Sequence, residues 1–165
     1  MLHLKNLSFV LVLFTLLGCT KLPEVESSSK INYLVNGKLV ESFYTNNVLV
    51  IESSKKGRNT IILDSYSEAG NFGFTVVSDS IVGNYTYTNS FPDDYSNRIH
   101  FVPSAANSWG YNSGNCPTPE FLISINAWYP GQQTISGTFA GTVCDEDGNM
   151  IEITNGAFEY VKRFD

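Results

Sequence analysis

Two neighbouring segments, Phe121-Leu122-Ile123-Ser124-Ile125-Asn126-Ala127-Trp128 and Ile135-Ser136-Gly137-Thr138-Phe139-Ala140-Gly141-Thr142-Val143, decide the fold class. Every second residue of each segment is apolar or glycine. A period of two places successive side chains on opposite faces of a strand, so both segments are typical of half-buried β-strands. Pro130-Gly131 lies between them and is a favoured turn pair. The sequence therefore predicts an antiparallel strand pair here.

The same kind of pattern extends over most of the chain. Further strands are predicted at Ile31–Val35, Lys38–Glu41, Val48–Glu52, Thr60–Asp64, Phe72–Val77, Asn84–Thr88, Ile99–Val102, Met150–Thr154 and Ala157–Lys162. Asn36-Gly37 and Asn155-Gly156 are dipeptides that favour tight hairpin turns. No stretch has helical periodicity long enough for a major helix. We expect a single antiparallel β-sandwich, with a closed antiparallel β-barrel as the alternative.

The N-terminus has the pattern of an export signal. Leu7–Leu17 is almost wholly apolar, is too short to span a bilayer, and is followed by Gly18 and Cys19. The Leu16-Leu17-Gly18-Cys19 sequence resembles the lipobox of bacterial lipoproteins. That resemblance implies cleavage before Cys19, a diacylglycerol on its sulfur, and a fatty acid such as palmitate on its amine. We expect a cleaved signal peptide at 1–18, a flexible lipidated tether at 19–30, and an all-β domain at 31–165.

Composition limits the partners of this 165-residue chain. Apolar residues make up 42% of it, which favours a packed core, while charged residues make up only 16%. Its formal net charge of −6 disfavours contact with phosphate backbones and anionic headgroups. We expect no nucleic-acid partner, and membrane attachment through the lipid on Cys19 alone.

The C-terminal third carries a family resemblance. Ile135–Phe139, Gly141, Asp147-Gly148 and Ile153–Phe158 resemble the C-terminal signature of small Bacteroidota-type lipoproteins of unknown function. The resemblance implies a shared fold and export route, with attachment to the outer membrane on its periplasmic or cell-surface face. It supplies no catalytic residue. Asp79-Ser80-Ile81 also resembles a short O-glycosylation sequon of such bacteria, and the alternative is a plain turn.

Cys116 and Cys144 are the two thiols that remain once Cys19 is acylated. An exported protein lies in an oxidising compartment, so we expect a disulfide between them. If both apolar faces of the strand pair point the same way, paired residue numbers sum to about 262. Cys144 then lies opposite Thr118 or Cys116. Zinc normally takes four closely spaced ligands, so a metal site on the cysteines is not expected.

No pattern for catalysis or cofactor binding emerges. Asp145–Asn149 has its glycine in the wrong place for an EF-hand loop and is read as a turn. His100 lies in a strand-like context, and no Gly-x-Ser-x-Gly elbow accompanies it. No spacing singles out a carboxylate pair. We therefore expect no catalytic residue, no metal, no cofactor and no enzymatic activity.

The stretch from Ser90 to Glu120 is the most function-like part of the sequence. It is longer than most connections in a compact domain and mixes aromatic rings with amides and carboxylates. Such surfaces bind sugars or peptides, so Tyr95, Trp109 and Tyr111 are the predicted ligand contacts. The alternative is that these rings cap the open end of the sandwich.

Three functions remain open on the sequence alone. The preferred one is a non-catalytic, outer-membrane-anchored module that binds a glycan or protein partner. The second is a structural or accessory subunit of an outer-membrane complex. An enzyme is the third.

Overall fold

The all-β prediction is confirmed by a computed structural model, which describes residues 30–43, 47–53, 57–88, 97–104 and 110–163. Its strands are β1 Lys30–Val35, β2 Lys38–Phe43, β3 Asn47–Ser53, β4 Asn59–Ser67, β5 Gly70–Ser78, β6 Gly83–Thr86, β7 Arg98–Pro103, β8 Tyr111–Asn112, β9 Phe121–Tyr129, β10 Thr134–Cys144 and β11 Met150–Lys162. A single-turn 3₁₀ helix, Ser113–Asn115, follows β8.

The strands form one curled, half-barrel sheet in the order β2-β1-β11-β10-β8-β7-β5-β4-β3, with β9 paired to β10 and β6 paired to β9. Its two halves pack face to face through aromatic rings. The Phe72 ring on β5 stacks on Phe139 of β10 at 4.3 Å and lies 5.1 Å from the Tyr33 ring on β1. The core is therefore sandwich-like, while the continuous sheet around it is barrel-like.

Tight turns of the predicted kind join the first strands. Asn36 and Gly37 both have positive φ, 48° and 79°, and connect β1 directly to β2. The backbone of Asn36 also holds the neighbouring strand, because its N–H donates to the Glu152 carbonyl at 2.9 Å. Asn-Gly thus acts here as the sequence predicts.

The second Asn-Gly dipeptide is different, and the predicted turn at Asn155-Gly156 is wrong. Strand β11 runs through it without interruption from Met150 to Lys162. Asn155 has φ of 52°, and the β10–β11 register shifts between Phe139 and Gly141 at the same place. The dipeptide therefore forms a β-bulge that bends the long strand instead of reversing the chain.

The predicted β9–β10 register holds over half of the pair. The pairs from Gly137–Ile125 to Gly141–Phe121 have the expected register, and the register shifts between Ser136 and Gly137. The expected neighbour of Cys144 is wrong, because Cys144 pairs with Asn112 on β8. β9 begins only at Phe121, so the end of β10 leaves β9 and joins β8. This turn of β10 links the two halves of the sheet.

The stretch from Ser90 to Glu120 is not one long loop. β7 pairs with β5 over six residues, and β8 pairs with both β7 and β10. Residues 89–96 and 105–109 lie outside the described part. So do the predicted signal peptide at 1–18 and the tether up to residue 29, including Cys19. Among the residues that are described, no helix has the length and apolar character needed to cross a membrane.

Candidate functional site

A disulfide fastens the corner where β10 meets β8. Cys116 and Cys144 are bonded, as predicted, with their Cα atoms 5.0 Å apart. The 3₁₀ helix before Cys116 is capped by Asn112, whose Oδ1 accepts the Gly114 N–H at 2.8 Å. The bond therefore fixes the segment that leads from β8 to β9.

A groove of about 570 Å³ opens next to this corner. It is lined by β10, β11, the start of β9 with the two residues before it, and the end of β6 with the residue after it. Thr142 lies at its centre. The Thr142 N–H donates to the Glu120 carbonyl at 2.9 Å, and on its other side Thr142 pairs with Glu152. Residues directly opposite each other in antiparallel strands share a face. Glu120, Thr142 and Glu152 therefore form a row across three chain segments.

The row sets the spacing of two carboxylates. Adjacent strands lie about 4.8 Å apart, so the backbones of Glu120 and Glu152 are about 10 Å apart across Thr142. Both side chains are exposed. The sequence gives no hint of this pair, because 32 positions separate the two residues and only the register brings them together.

Packing holds the wall of the groove in place. Tyr87 meets the Phe121 ring edge-on at 6.3 Å, and both residues line the groove. Gly141 lies beneath them, and a Cβ there would collide with the Phe121 side chain and lie 2.8 Å from the Glu120 carbonyl oxygen. Only glycine lets the Glu120 segment approach β10 this closely.

The chemistry of the groove suits a hydroxyl-rich ligand. Carboxylates accept hydrogen bonds from hydroxyl groups, and the hydroxyls of Thr142 and Thr154 can both donate and accept hydrogen bonds. The Tyr87 ring offers an apolar surface. No Lys, Arg or His occurs among the described residues that line it. The site thus combines polar and apolar surface, is acidic, and is open to solvent.

Of the three predicted ligand contacts, Tyr111 is the one that the structure describes. Tyr95 and Trp109 lie outside the described residues. Tyr111 is half-buried, is paired with Phe101, and packs against the core, which favours the alternative that this ring covers the core. The end of the same predicted stretch, Pro119 and Glu120, does line the groove.

Two other residues considered in the sequence, Asp145 and Ser80, lie in connections between strands. The Asp145 carboxylate accepts the Asn149 side-chain amide at 2.8 Å and the N–H groups of Asp147 and Asn149, and these bonds lower its pKa. They close a turn, as predicted. Ser80 is exposed in the connection between β5 and β6. In the described part of the chain, no three His, Cys, Asp or Glu side chains gather as metal ligands.

Comparisons of the chain with protein-family models, with curated proteins and with solved structures found no match. The chemistry of the groove is therefore the observation from which function is inferred.

Proposed function

We propose that this chain is an outer-membrane-anchored lipoprotein that acts as a non-catalytic binding module for a glycan. The groove around Thr142 carries the proposal. It combines two exposed carboxylates, threonine hydroxyls and an aromatic ring around β10, a strand that is paired on both sides. Sugars offer hydroxyls to the first two and apolar ring faces to the third.

A rigid framework supports such a site. β10 is hydrogen-bonded to β11, β9 and β8, and the Cys116–Cys144 bond fastens its end. Groups that are already ordered lose little conformational entropy when a ligand binds. The strand backbone beneath the groove is therefore already ordered before a ligand binds.

The anchor comes from the N-terminal pattern. Lipidation at Cys19 would attach the domain to the outer membrane through a tether of about ten residues, which allows the groove to search the space near the surface. Acyl chains on one cysteine anchor stably when two or more are present.

A glycan array probed with the full, lipidated chain in detergent tests the function. We expect retention of one class of oligosaccharide and loss of about tenfold in affinity for the Glu120→Gln and Glu152→Gln double variant, since hydrogen bonds to charged groups contribute about 1.5–3 kcal/mol. Glu146→Gln, in the exposed β10–β11 turn and not among the residues that line the groove, is the matched control.

Three outcomes would count against the proposal. Failure to retain any glycan refutes glycan binding, and specific capture of an outer-membrane protein would favour the accessory-subunit alternative. Equal binding by the double variant removes the groove as the site. Hydrolysis of the retained oligosaccharide would show that the module is catalytic.

A further inference from the structure

The outward face of β10 continues beyond the groove as a strip without large side chains. Its outward residues are Thr134, Ser136, Thr138, Ala140 and Thr142, which alternate with residues that point into the core. We call this face the β10 strip. One end of the strip is the groove, and the other end lies beside two exposed tyrosines.

The two tyrosines, Tyr129 and Tyr160, form a ring pair across the strip. They belong to β9 and β11, the strands on either side of β10, and their centroids are 5.6 Å apart with the planes tilted by 29°. Tyr129 is 40% exposed and Tyr160 is 39% exposed. Exposed stacked rings at one end of a strip of small residues give a ligand an apolar surface to rest on.

A β-bulge aims Tyr160 outward. The β10–β11 register shifts between Ile135 and Gly137, so Glu159 and Tyr160 occupy the space of one residue. Tyr160 has φ of 49°, and its N–H donates to the Ser136 hydroxyl at 2.9 Å. Bulges of this kind redirect a side chain, and here the result is a second ring beside Tyr129.

A buried hydroxyl lies at the same end of the strip. Thr134 is only 3% exposed, and its Oγ1 makes no hydrogen bond with the described residues. It faces outward, directly opposite Tyr129 on one side and Lys162 on the other. A buried hydroxyl without a partner costs free energy, so this end of the strip carries a local cost in stability.

The strip also has a definite length. Thr142 lies eight positions after Thr134 in the extended chain, a distance of about 26 Å at 3.3 Å per residue. A single sugar cannot contact both the ring pair and the groove. An extended oligomer can contact both, because nothing larger than threonine projects from β10 between them.

The charges along the strip indicate whether an acidic or an uncharged glycan would bind there. Glu120 and Glu152 carry the charges of the groove, and the chain as a whole has a net charge of −6. At the other end two exposed basic residues, Lys162 and Arg163, lie near Glu159, so the carboxylates of the groove are the charges that disfavour an anionic ligand. An anionic oligomer would meet two carboxylates that no basic groove residue offsets.

From these observations we propose that the β10 strip binds an extended, uncharged oligosaccharide that spans from Tyr129 and Tyr160 to the groove. The inference rests on the proposed glycan-binding function and adds the class and length of the ligand. The ring pair holds one end of the oligomer, and the carboxylates flanking Thr142 hold the other.

The test is calorimetric titration of the full chain with a length series of neutral gluco-, manno- and xylo-oligosaccharides, alongside oligogalacturonides of matched length. Affinity should rise with length until the oligomer reaches both ends of the strip. Tyr129→Ala should cost about tenfold for long oligomers and nothing for short ones confined to the groove. Tyr66→Ala removes another exposed tyrosine, on β4, and should change the affinity for neither the long nor the short oligomers.

Thermal melting of each variant shows whether it is folded, and Tyr160→Ala serves as the second ring variant. Unchanged affinity of long oligomers for both ring variants would overturn the inference, and so would oligogalacturonides that bind as tightly as neutral oligomers. In either case the glycan-binding function itself survives. Absence of binding by every oligosaccharide would refute the function as well.

Discussion

Asp64 and His100 are in contact across an intervening strand, with Asp64 Oδ1 3.3 Å from His100 Nε2. Asp64 lies on β4 and His100 on β7, and Gly73 of β5 is paired with both. The two side chains can meet because the residue between them has no side chain. A Cβ on Gly73 would overlap Asp64 and lie 2.5 Å from the His100 ring.

Gly73→Ala should therefore force the pair apart and destabilise the fold by about 1 kcal/mol, the low end of the cost of inserting a methyl group, because the atoms in its way are the ends of two partly exposed side chains. Urea unfolding measures this loss. Gly131→Ala, in the β9–β10 turn where nothing lies within 4 Å of the added atom, is the control. Equal stability of the two variants would show that β4 and β7 accommodate the added methyl group without a measurable cost.

Removing the disulfide should lower the free energy of unfolding. Cys116 and Cys144 are 28 positions apart, and closing a loop of that length contributes about 3–4 kcal/mol by the chain-entropy estimate. The double variant Cys116→Ala, Cys144→Ala should lose this amount in urea unfolding. A reductant should destabilise the native chain and leave the variant unchanged. Rapid alkylation of both cysteines in the folded, exported protein would contradict the bond.

Tyr33 should make the protein sensitive to alkaline pH. Burial raises its pKa from 10.0 to about 12. Between these values the unfolded chain ionises at this residue and the folded chain does not. Stability that is complete below pH 10 is therefore lost as the pH rises towards 12, by about 3 kcal/mol for a two-unit shift.

Unfolding measured between pH 8 and pH 12 tests this dependence. Tyr33→Phe should remove that part of the alkaline loss, whereas Tyr66→Phe, which changes an exposed hydroxyl, should retain it. An identical pH profile for Tyr33→Phe and the native chain would assign the alkaline sensitivity to other groups.

Tyr111→Ala should act on stability, because the ring packs against the core. We expect a loss of about 2 kcal/mol, roughly half the cost of removing a fully buried ring.

Trp109 lies outside the described residues, so Trp109→Ala tests the prediction of ligand contact for this region. Weaker glycan binding by Trp109→Ala with an unchanged melting temperature would support that prediction, and lower stability alone would refute it.

Cys19→Ala should abolish lipid attachment, as the Leu16-Leu17-Gly18-Cys19 pattern implies. Metabolic labelling with a fatty-acid probe and cell fractionation measure the result. The variant should accumulate as an unlabelled, unprocessed precursor away from the outer membrane. Labelling at the native level would show that the anchor is elsewhere or that none exists at Cys19.

The prediction of strands succeeded where local pattern and local geometry agree. Ile123 and Phe139 point into the core because alternation and register both require it, and Asn36-Gly37 turns the chain because both residues tolerate positive φ. Asn155-Gly156 has the same two residues and yet forms a bulge. Pairing of β11 with β1 and β10 on both sides holds the strand together there.

The candidate site could not be predicted from local sequence patterns, because strand pairing brings its residues together from distant parts of the chain. The sequence indicated that the stretch ending at Glu120 was unusual, but it could not place Glu152 opposite Thr142. Likewise Tyr129 and Tyr160 each look like an ordinary strand residue. Their stacking depends on a bulge, which depends on how β11 pairs with β10.

By itself the sequence determined the all-β class, most of the strands and the partnership of Cys116 with Cys144, because alternation and thiol count are local or compositional properties. Only the tertiary structure decided that β10 leaves β9 to join β8, that Gly73 brings Asp64 to His100, and that Glu120 and Glu152 flank one threonine. Those relationships join residues far apart in the chain. They are set by register, bulges and close packing, which no single segment encodes.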